Sequence, residues 1–427
     1  MRLCSTPKPG CTDASSEGGM TVGHLRPGEA FRDMSVGIAL LFRLSRYRYP
    51  VYSTGPHIET PRYLTLRVDG IPIRSSRDAF ESDLECITSQ SPDLRNVVDK
   101  LVIRSFVPKD RYSICATVTI RTRVPEDVLL YRLKHASDEH PYRYDCTFYG
   151  ITPLYEDKSA IKCDIIAVRG LASHAIGSWK SPKSNDIWLR DWLPEDIPNV
   201  RVLLYGYDTT LLKNTSKASI EDLGQRLLES LIAFRTSDKT ERRSVVFIGH
   251  SLGGLLIKEA LLRAYWSPDV NKEHKLLYTI CNGLLFFGVP NHGLRNEKLS
   301  SIISGQPNQA LINSLVVDNE SEPSPFLRRL SADFARCFKG QQRVISFYER
   351  KLSTTVEMHL DGKLRKSGPL ALMVTKQSAT STGLTAVPDE DNIPFDTDHS
   401  GLVKYEDRGQ DAYHIVKERL RTLIHEL

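Results

Sequence analysis

The sequence predicts an α/β chain in two parts: a mostly parallel sheet covered by helices on both faces, preceded by a small α+β unit of ferredoxin-like order. Three observations carry that prediction. From residue 158 onward, short runs of Val, Ile, Leu and Phe alternate with helix-period segments, the pattern of parallel strands joined by crossover helices. One of these strands runs through a G-x-S-x-G pentapeptide into an apolar-striped helix. Ahead of them, residues 61–157 show strands and helices in the order β-α-β-β-α-β.

Length and composition set the bounds. A chain of 427 residues suits two or three domains. With 40% apolar, 26% charged and 8% aromatic residues, it is neither fibrous, nor a coiled coil, nor wholly disordered. A net charge of +5 spread over this length does not make the dense basic surface of a nucleic-acid binder, so no nucleic-acid partner is expected. The longest N-terminal apolar run, 36–42, is too short to cross a membrane, and neither a transmembrane span nor a secretory signal is read. The eight cysteines form no C-x-x-C pair, and none has a histidine at zinc-ligand spacing. A reduced, intracellular, cytoplasmic chain without a metal is the expectation.

Residues 1–60 are rich in Gly, Ser, Pro and Thr and read as a poorly ordered N-terminal segment. In the 61–157 unit, residues 63–68 alternate as a strand that stops at Gly70 and Pro72. Residues 76–87 read as a helix with Phe80, Leu84 and Ile87 on one side. Strands follow at 101–107 and 114–122, a second helix at 125–133, and a last strand at 146–154. RNA-recognition modules share this order, yet the 114–120 strand lacks their aromatic stacking residues. The unit therefore reads as a docking or packing domain, a surface for a protein partner.

The 158–427 part reads as strand 164–168, helix 188–193, strand 202–207, and a helix opened by the cap Ser219-Ile220-Glu221-Asp222. Leu223, Leu227, Leu228, Leu231 and Phe234 form that helix's stripe. Strand 244–248, helix 252–266, and strands 283–289, 343–348 and 370–376 come next, with a closing helix from 411 to 426. An insertion at 295–340, carrying Phe326, Leu327, Leu330 and Phe334, is in a position to cap the site.

The pentapeptide is Gly249-His250-Ser251-Leu252-Gly253, followed by Gly254. A strand leading in and a helix leading out give it the context of a nucleophile elbow. So sharp a turn has no room for large side chains, and Gly249, Gly253 and Gly254 supply the space. Ser251 is the candidate nucleophile, set over a helix N-terminus that favours developing negative charge. The N–H of Leu252 is one candidate oxyanion donor, and that of Leu171, in the loop after strand 164–168, is the second. In folds built on such an elbow the partners follow in the order Ser, acid, His, on loops after later strands. His359 sits in an Asp-Gly hairpin and His414 and His425 on the last helix, which leaves His399, in the polar loop 396–404, as candidate base. Glu349, ending strand 343–349, is the candidate acid, with Asp396 and Asp398 as alternatives. No P-loop occurs and no G-x-G-x-x-G follows a strand, so no cofactor is expected.

These residues resemble the serine esterase branch of the α/β-hydrolase superfamily, and look most like the serine-active-site-containing protein family and its fungal relatives. The supporting words are Trp188-Leu189-Arg190-Asp191-Trp192-Leu193-Pro194, Tyr205-Gly206-Tyr207-Asp208, the Gly249–Gly254 stretch, and Phe286-Phe287-Gly288-Val289-Pro290-Asn291-His292-Gly293. The resemblance spans roughly residues 160 to 425. It implies the α/β-hydrolase fold, with Ser251 as nucleophile, His399 as base and Glu349 as acid. It also implies hydrolysis or acyl transfer on a lipid-like ester, peripheral membrane contact, and mitochondrial or ER-membrane association. One residue departs from the family: Arg169-Gly170 stands where His-Gly is usual in the oxyanion loop. Backbone donation survives that change, but the loop must be packed differently. A weakened or inactive hydrolase fold serving as an interaction or signalling module is the alternative reading.

Overall fold

The computed structural model describes residues 60–317, 322–338, 342–384 and 387–425. The N-terminal segment read as poorly ordered lies, apart from residue 60, outside the described residues.

The small unit is built from β1 (Arg62–Pro72), α1 (Arg77–Gln90), β2 (Val98–Pro108), β3 (Ser113–Thr122), α2 (Glu126–Ala136) and β4 (Arg143–Asp145). Its sheet is antiparallel, in the order β2-β3-β1-β4. Side chains alternate across it as strand geometry requires. Ala116, Val118 and Ile120 share one face and a core with Phe80 and Leu84 of α1 and Leu129 and Leu133 of α2. Ser105 and Thr117, whose hydroxyls lie 2.6 Å apart, belong to the other face and are buried as well. There Arg190 Nη1 donates to Thr117 Oγ1 at 3.4 Å, and Arg67 Nη1 donates to Tyr149 O and Thr152 Oγ1 at 3.0 and 2.9 Å. The face on which RNA-binding sheets stack bases is covered, in this chain, by the larger part of the same molecule.

Two boundaries differ from the sequence expectation here. β1 passes through Gly70, at φ 85° with a register shift between Val68 and Ile71, and ends at Pro72, the second of the two stops expected. The strand expected at 146–154 begins only at Gly150 and belongs to the main sheet, while the last strand of the small sheet, β4, ends before it at Asp145. Asp145 accepts the N–H groups of Thr147 and Phe148 at 2.9 and 2.8 Å, an Asx turn that ends β4, and Phe148 takes φ 55°. The chain then enters β5 (Gly150–Glu156), the antiparallel edge of the main sheet.

The main sheet has seven strands in the order β15-β12-β9-β8-β6-β7-β5, all parallel except β5. In chain order its part of the fold is β6 (Cys163–Val168), α3 (Trp188–Asp191), α4 (Leu193–Asp196), β7 (Val200–Gly206), α5 (Ile220–Ser237), β8 (Ser244–His250), α6 (Leu252–Trp266), α7 (Lys272–Thr279), β9 (Cys281–Phe287), β10 (Leu294–Arg295), α8 (Glu297–Ile302), α9 (Gln309–Leu315), β11 (Val316–Val317), α10 (Pro325–Cys337), β12 (Arg343–Glu349), β13 (Ser353–Met358), β14 (Leu364–Ala371), α11 (Lys376–Thr380), β15 (Asn392–Phe395) and α12 (Asp411–His425).

Both sheet faces are buried, which is why its strands read as unbroken apolar runs. Val245 and Phe247 of β8 and Leu284 and Phe286 of β9 meet α5, α6 and α10 on one face. Val246, Ile248, Leu285 and Phe287 meet Trp188, Leu193, Tyr413 and Leu420 on the other. The predicted cap of α5 is a full capping box: Asp222 N donates to Ser219 Oγ at 3.1 Å, and Ser219 N to Asp222 Oδ2 at 2.9 Å.

The last third departs from expectation at 370–376. Leu370 and Ala371 end β14, which pairs with β13 in the hairpin foreseen around Asp361-Gly362. Thr375 then caps α11, its Oγ1 accepting Ser378 N at 3.1 Å. The strand that completes the sheet is β15, short and containing Pro394, which its edge position tolerates. Within 295–340, Leu311, Ile312, Phe326, Leu327, Leu330 and Phe334 are buried in the core on the α5–α6 side.

Candidate active site

The parallel strands point their C-terminal ends at one edge of the sheet, and the sequence-predicted residues collect there. β8 ends at His250 and α6 begins at Leu252, so Ser251 alone makes the turn. It does so at φ 52°, ψ −126°, a strained conformation for a residue with a Cβ. Surrounding contacts impose it. Ser251 N donates to Phe287 O at 2.9 Å, and Gly254 N closes the first turn on Ser251 O at 3.0 Å. The glycines are needed for space, as read from the sequence. A Cβ on Gly249 would stand 2.7 Å from Gly254 Cα, and one on Gly253 would stand 2.3 Å from Val168 O.

Glu349 is the last residue of β12, and His399 follows β15 by four residues. The structure brings them together: His399 Nδ1 lies 2.6 Å from Glu349 Oε2. Glu349 is fully buried, and its second oxygen accepts Val374 N at 2.9 Å. The alternatives do not reach the imidazole. Asp396 is mostly exposed and pairs with Lys351 at 3.0 Å, and Asp398 Oδ1 accepts Gly401 N at 2.8 Å. The His399 ring is brought to the elbow by Gly288 at φ 55°, where a Cβ would stand 2.9 Å from His399 Nδ1. Among the described residues Ser251 Oγ makes no hydrogen bond, to His399 or elsewhere. Such contacts are often long before substrate arrives.

The loop expected to carry the second oxyanion donor passes close to Ser251: a Cβ on Gly170 would lie 2.9 Å from Ser251 Cβ. Neither Leu171 N–H nor Leu252 N–H is engaged by an acceptor among the described residues, whereas Ala172 N–H donates to Thr209 Oγ1 at 3.0 Å. Arg169 resolves the packing question raised by the sequence. Its side chain is buried and turned inward. It donates to the carbonyls of Ser173 and Tyr207, to Gly170 O at 3.3 Å and to Thr209 Oγ1 at 3.0 Å. Its guanidinium lies 4.9 Å from the Tyr207 ring centroid, and Tyr207 OH donates back to Arg169 O at 2.7 Å. Burial pulls its pKa down, against the opposing pull of Tyr207, Tyr149 and Asp208.

A cavity of about 580 Å³ opens beside this loop, lined among others by Arg169, Ser173, Tyr149, Asp208, Val356 and Lys366. Ser251 packs against the loop but does not line the cavity. Among the described residues no three His, Cys, Asp or Glu side chains converge as a metal site would require, and no helix is long and apolar enough to cross a membrane. Sequence reasoning missed three supports of the site: Val374 N–H on Glu349, Ser353 Oγ accepting His399 N at 3.2 Å, and His250 Nε2 at 3.1 Å from His399 O. Only His250 left a sequence signal, by standing inside the pentapeptide.

Comparison with known proteins agrees with this architecture. Residues 165–305 match the family described as "Putative serine esterase (DUF676)". The match places the likeness of residues 165–305 on the esterase- and lipase-like side of the α/β-hydrolase superfamily. Protein SERAC1 of Bos taurus is 29% identical over 288 residues, covering 62% of this chain and 39% of that one. Protein SERAC1 of Danio rerio is 28% identical over 296 residues, covering 64% and 40%. The chain thus spans about two fifths of the length of these curated relatives. A lipase structure from Bacillus licheniformis, BlEst2 in mature form, aligns at 13% identity over 64% of this chain and 97% of the lipase, with a TM-score of 0.39. The relatives named are vertebrate, and they do not bear on the expected fungal likeness.

Proposed function

We propose that this α/β-hydrolase is a serine esterase acting on a lipid-like carboxylic ester through an acyl-enzyme. Ser251 Oγ attacks the ester carbonyl while His399 Nε2 takes its proton. Glu349 holds the imidazole through Nδ1 and stabilises the imidazolium that forms. The tetrahedral oxyanion is received by the N–H groups of Leu252 and Leu171, aided by the N-terminus of α6. His399 returns the proton to the leaving alcohol, and water or a second alcohol then takes the acyl group from Ser251 by the reverse sequence.

The observation that carries this reading is the 2.6 Å contact of His399 with a buried Glu349, next to a serine at φ 52°. Structural histidines and strained loops each occur alone, but their meeting at one strand edge is what acyl transfer needs. Arg169, turned inward as a brace, supports an intact oxyanion loop over the inactive-module reading. The small unit's element order and its β2-β3-β1-β4 sheet favour a ferredoxin-like assignment for it. The test is turnover of a panel of p-nitrophenyl esters of rising acyl length. Wild type should hydrolyse at least one, and Ser251→Ala should lose that activity by at least about 1,000-fold. Equal turnover by the two folded proteins would refute the assignment.

A further inference from the structure

We infer that His250 is a positioning residue: its Nε2–H, donated to the carbonyl of His399, holds the base loop at a fixed height over the nucleophile turn. The inference rests on the reading of Ser251 and His399 given above.

His250 is the last residue of β8 and immediately precedes the strained serine. Its Nε2 lies 3.1 Å from His399 O, across 149 residues of sequence. A carbonyl oxygen only accepts, so this nitrogen carries the proton, and in the neutral ring Nδ1 is left as a lone pair. That Nδ1 is buried and without a hydrogen-bond partner among the described residues. The oxyanion loop closes over it: a Cβ on Gly170 would stand 3.2 Å away. Burial, reinforced by the charge His399 acquires, pushes the imidazolium of His250 down to about 3. The ring therefore keeps one proton and one donor while His399 cycles between its two forms. The two imidazole rings are 5.1 Å apart.

Among the described residues three hydrogen bonds fix His399, and each comes from a different strand or its end. Glu349 of β12 takes Nδ1, Ser353 of β13 takes the backbone N–H, and His250 of β8 holds the carbonyl. The first two set the ring's rotation and tie the loop to β12 and β13. The third alone runs to the strand that carries the nucleophile. It therefore governs the Ser251–His399 separation, the quantity that proton transfer is most sensitive to.

Steady-state kcat and KM on a p-nitrophenyl ester, and labelling by a fluorophosphonate, are measured for wild type, His250→Gln, His250→Phe and His250→Met. Gln places an amide N–H close to the lost Nε2–H. Phe keeps the ring volume without a donor, and Met supplies a second donor-free variant in case Phe does not fold. Expected is a kcat loss of about 30- to 100-fold in the donor-free variants with KM held within about 3-fold, and recovery to within about 5-fold in Gln. Folded donor-free variants with wild-type kcat would overturn the inference alone, as would equal losses in Gln and Phe. A wild type that takes up no label would overturn the hydrolase reading as well.

Discussion

Glu349 and Arg169 are two buried charged groups with opposite jobs. Glu349 makes its contact with the imidazole, so Glu349→Gln should leave the fold intact. The amide in its place no longer stabilises an imidazolium and can present a donor to Nδ1–H. A fall in kcat of about 1,000- to 10,000-fold at little cost in KM is expected from steady-state ester hydrolysis. Arg169 instead braces a loop, and Arg169→Met would strand the carbonyls of Ser173 and Tyr207 that it now satisfies. A loss on the order of 3 kcal/mol in urea-unfolding free energy is expected, accompanied by weaker oxyanion stabilisation. Unchanged stability in Arg169→Met would mean that water replaces the guanidinium.

At the scale of elements, α6 carries both the helix N-terminus under Ser251 and a fully buried lysine on the same helix. Lys258 Nζ donates to Asn291 Oδ1 and Thr382 O, both at 2.9 Å, and lies 4.7 Å from the Phe334 ring centroid. These partners are neutral, and burial lowers its pKa to about 7. In the unfolded chain the same lysine titrates near 10.4. Between about pH 7 and pH 10 the unfolded chain therefore binds the extra proton, and stability rises with pH; below about pH 7 the cost of the buried charge is fully present. Relative to Lys258→Met, wild type should gain up to about 1.4 kcal/mol per pH unit in that window, read by urea unfolding. A flat difference would place the lysine's proton elsewhere. Elements also show what sequence can and cannot reveal. β6, β7, β8, β9 and β12 were legible because both their faces are buried and they read as apolar runs. β15, Asn-Ile-Pro-Phe, was not, because an edge strand owes its existence to the ladder offered by β12. The β4–β5 division was equally hidden, since one side chain, Asp145, decides it. Ser251, His399 and Glu349 could be read from chain order and strand ends, but His250's partner lies too far along the chain for any local pattern to indicate it.

For the whole molecule, the small unit is fastened by its sheet face, not displayed by it. Thr117 is fully buried between β2, β3 and Arg190. Thr117→Phe should overpack that seam and cost about 1–3 kcal/mol. Calorimetry should show one transition that moves down as a unit, because the seam is shared by both parts. Two separated transitions, with only the first displaced, would mean that the small unit folds and detaches on its own. The same seam explains why a β-α-β-β-α-β pattern alone could not tell a docking module from a packed one: the difference lies in what covers Thr117 and Ser105, and that cover comes from residues beyond position 145.

The most direct test of the account is covalent: an alkyl fluorophosphonate reacts with a serine only when a base activates it and an oxyanion site receives the phosphoryl oxygen. Wild type, Ser251→Ala and His399→Ala are exposed to the probe and weighed by intact-mass spectrometry, with the adduct mapped by peptide sequencing. One adduct per chain on Ser251, absent from both variants, is the predicted result. An unlabelled but folded wild type, or an adduct on another residue that persists in Ser251→Ala, would contradict it.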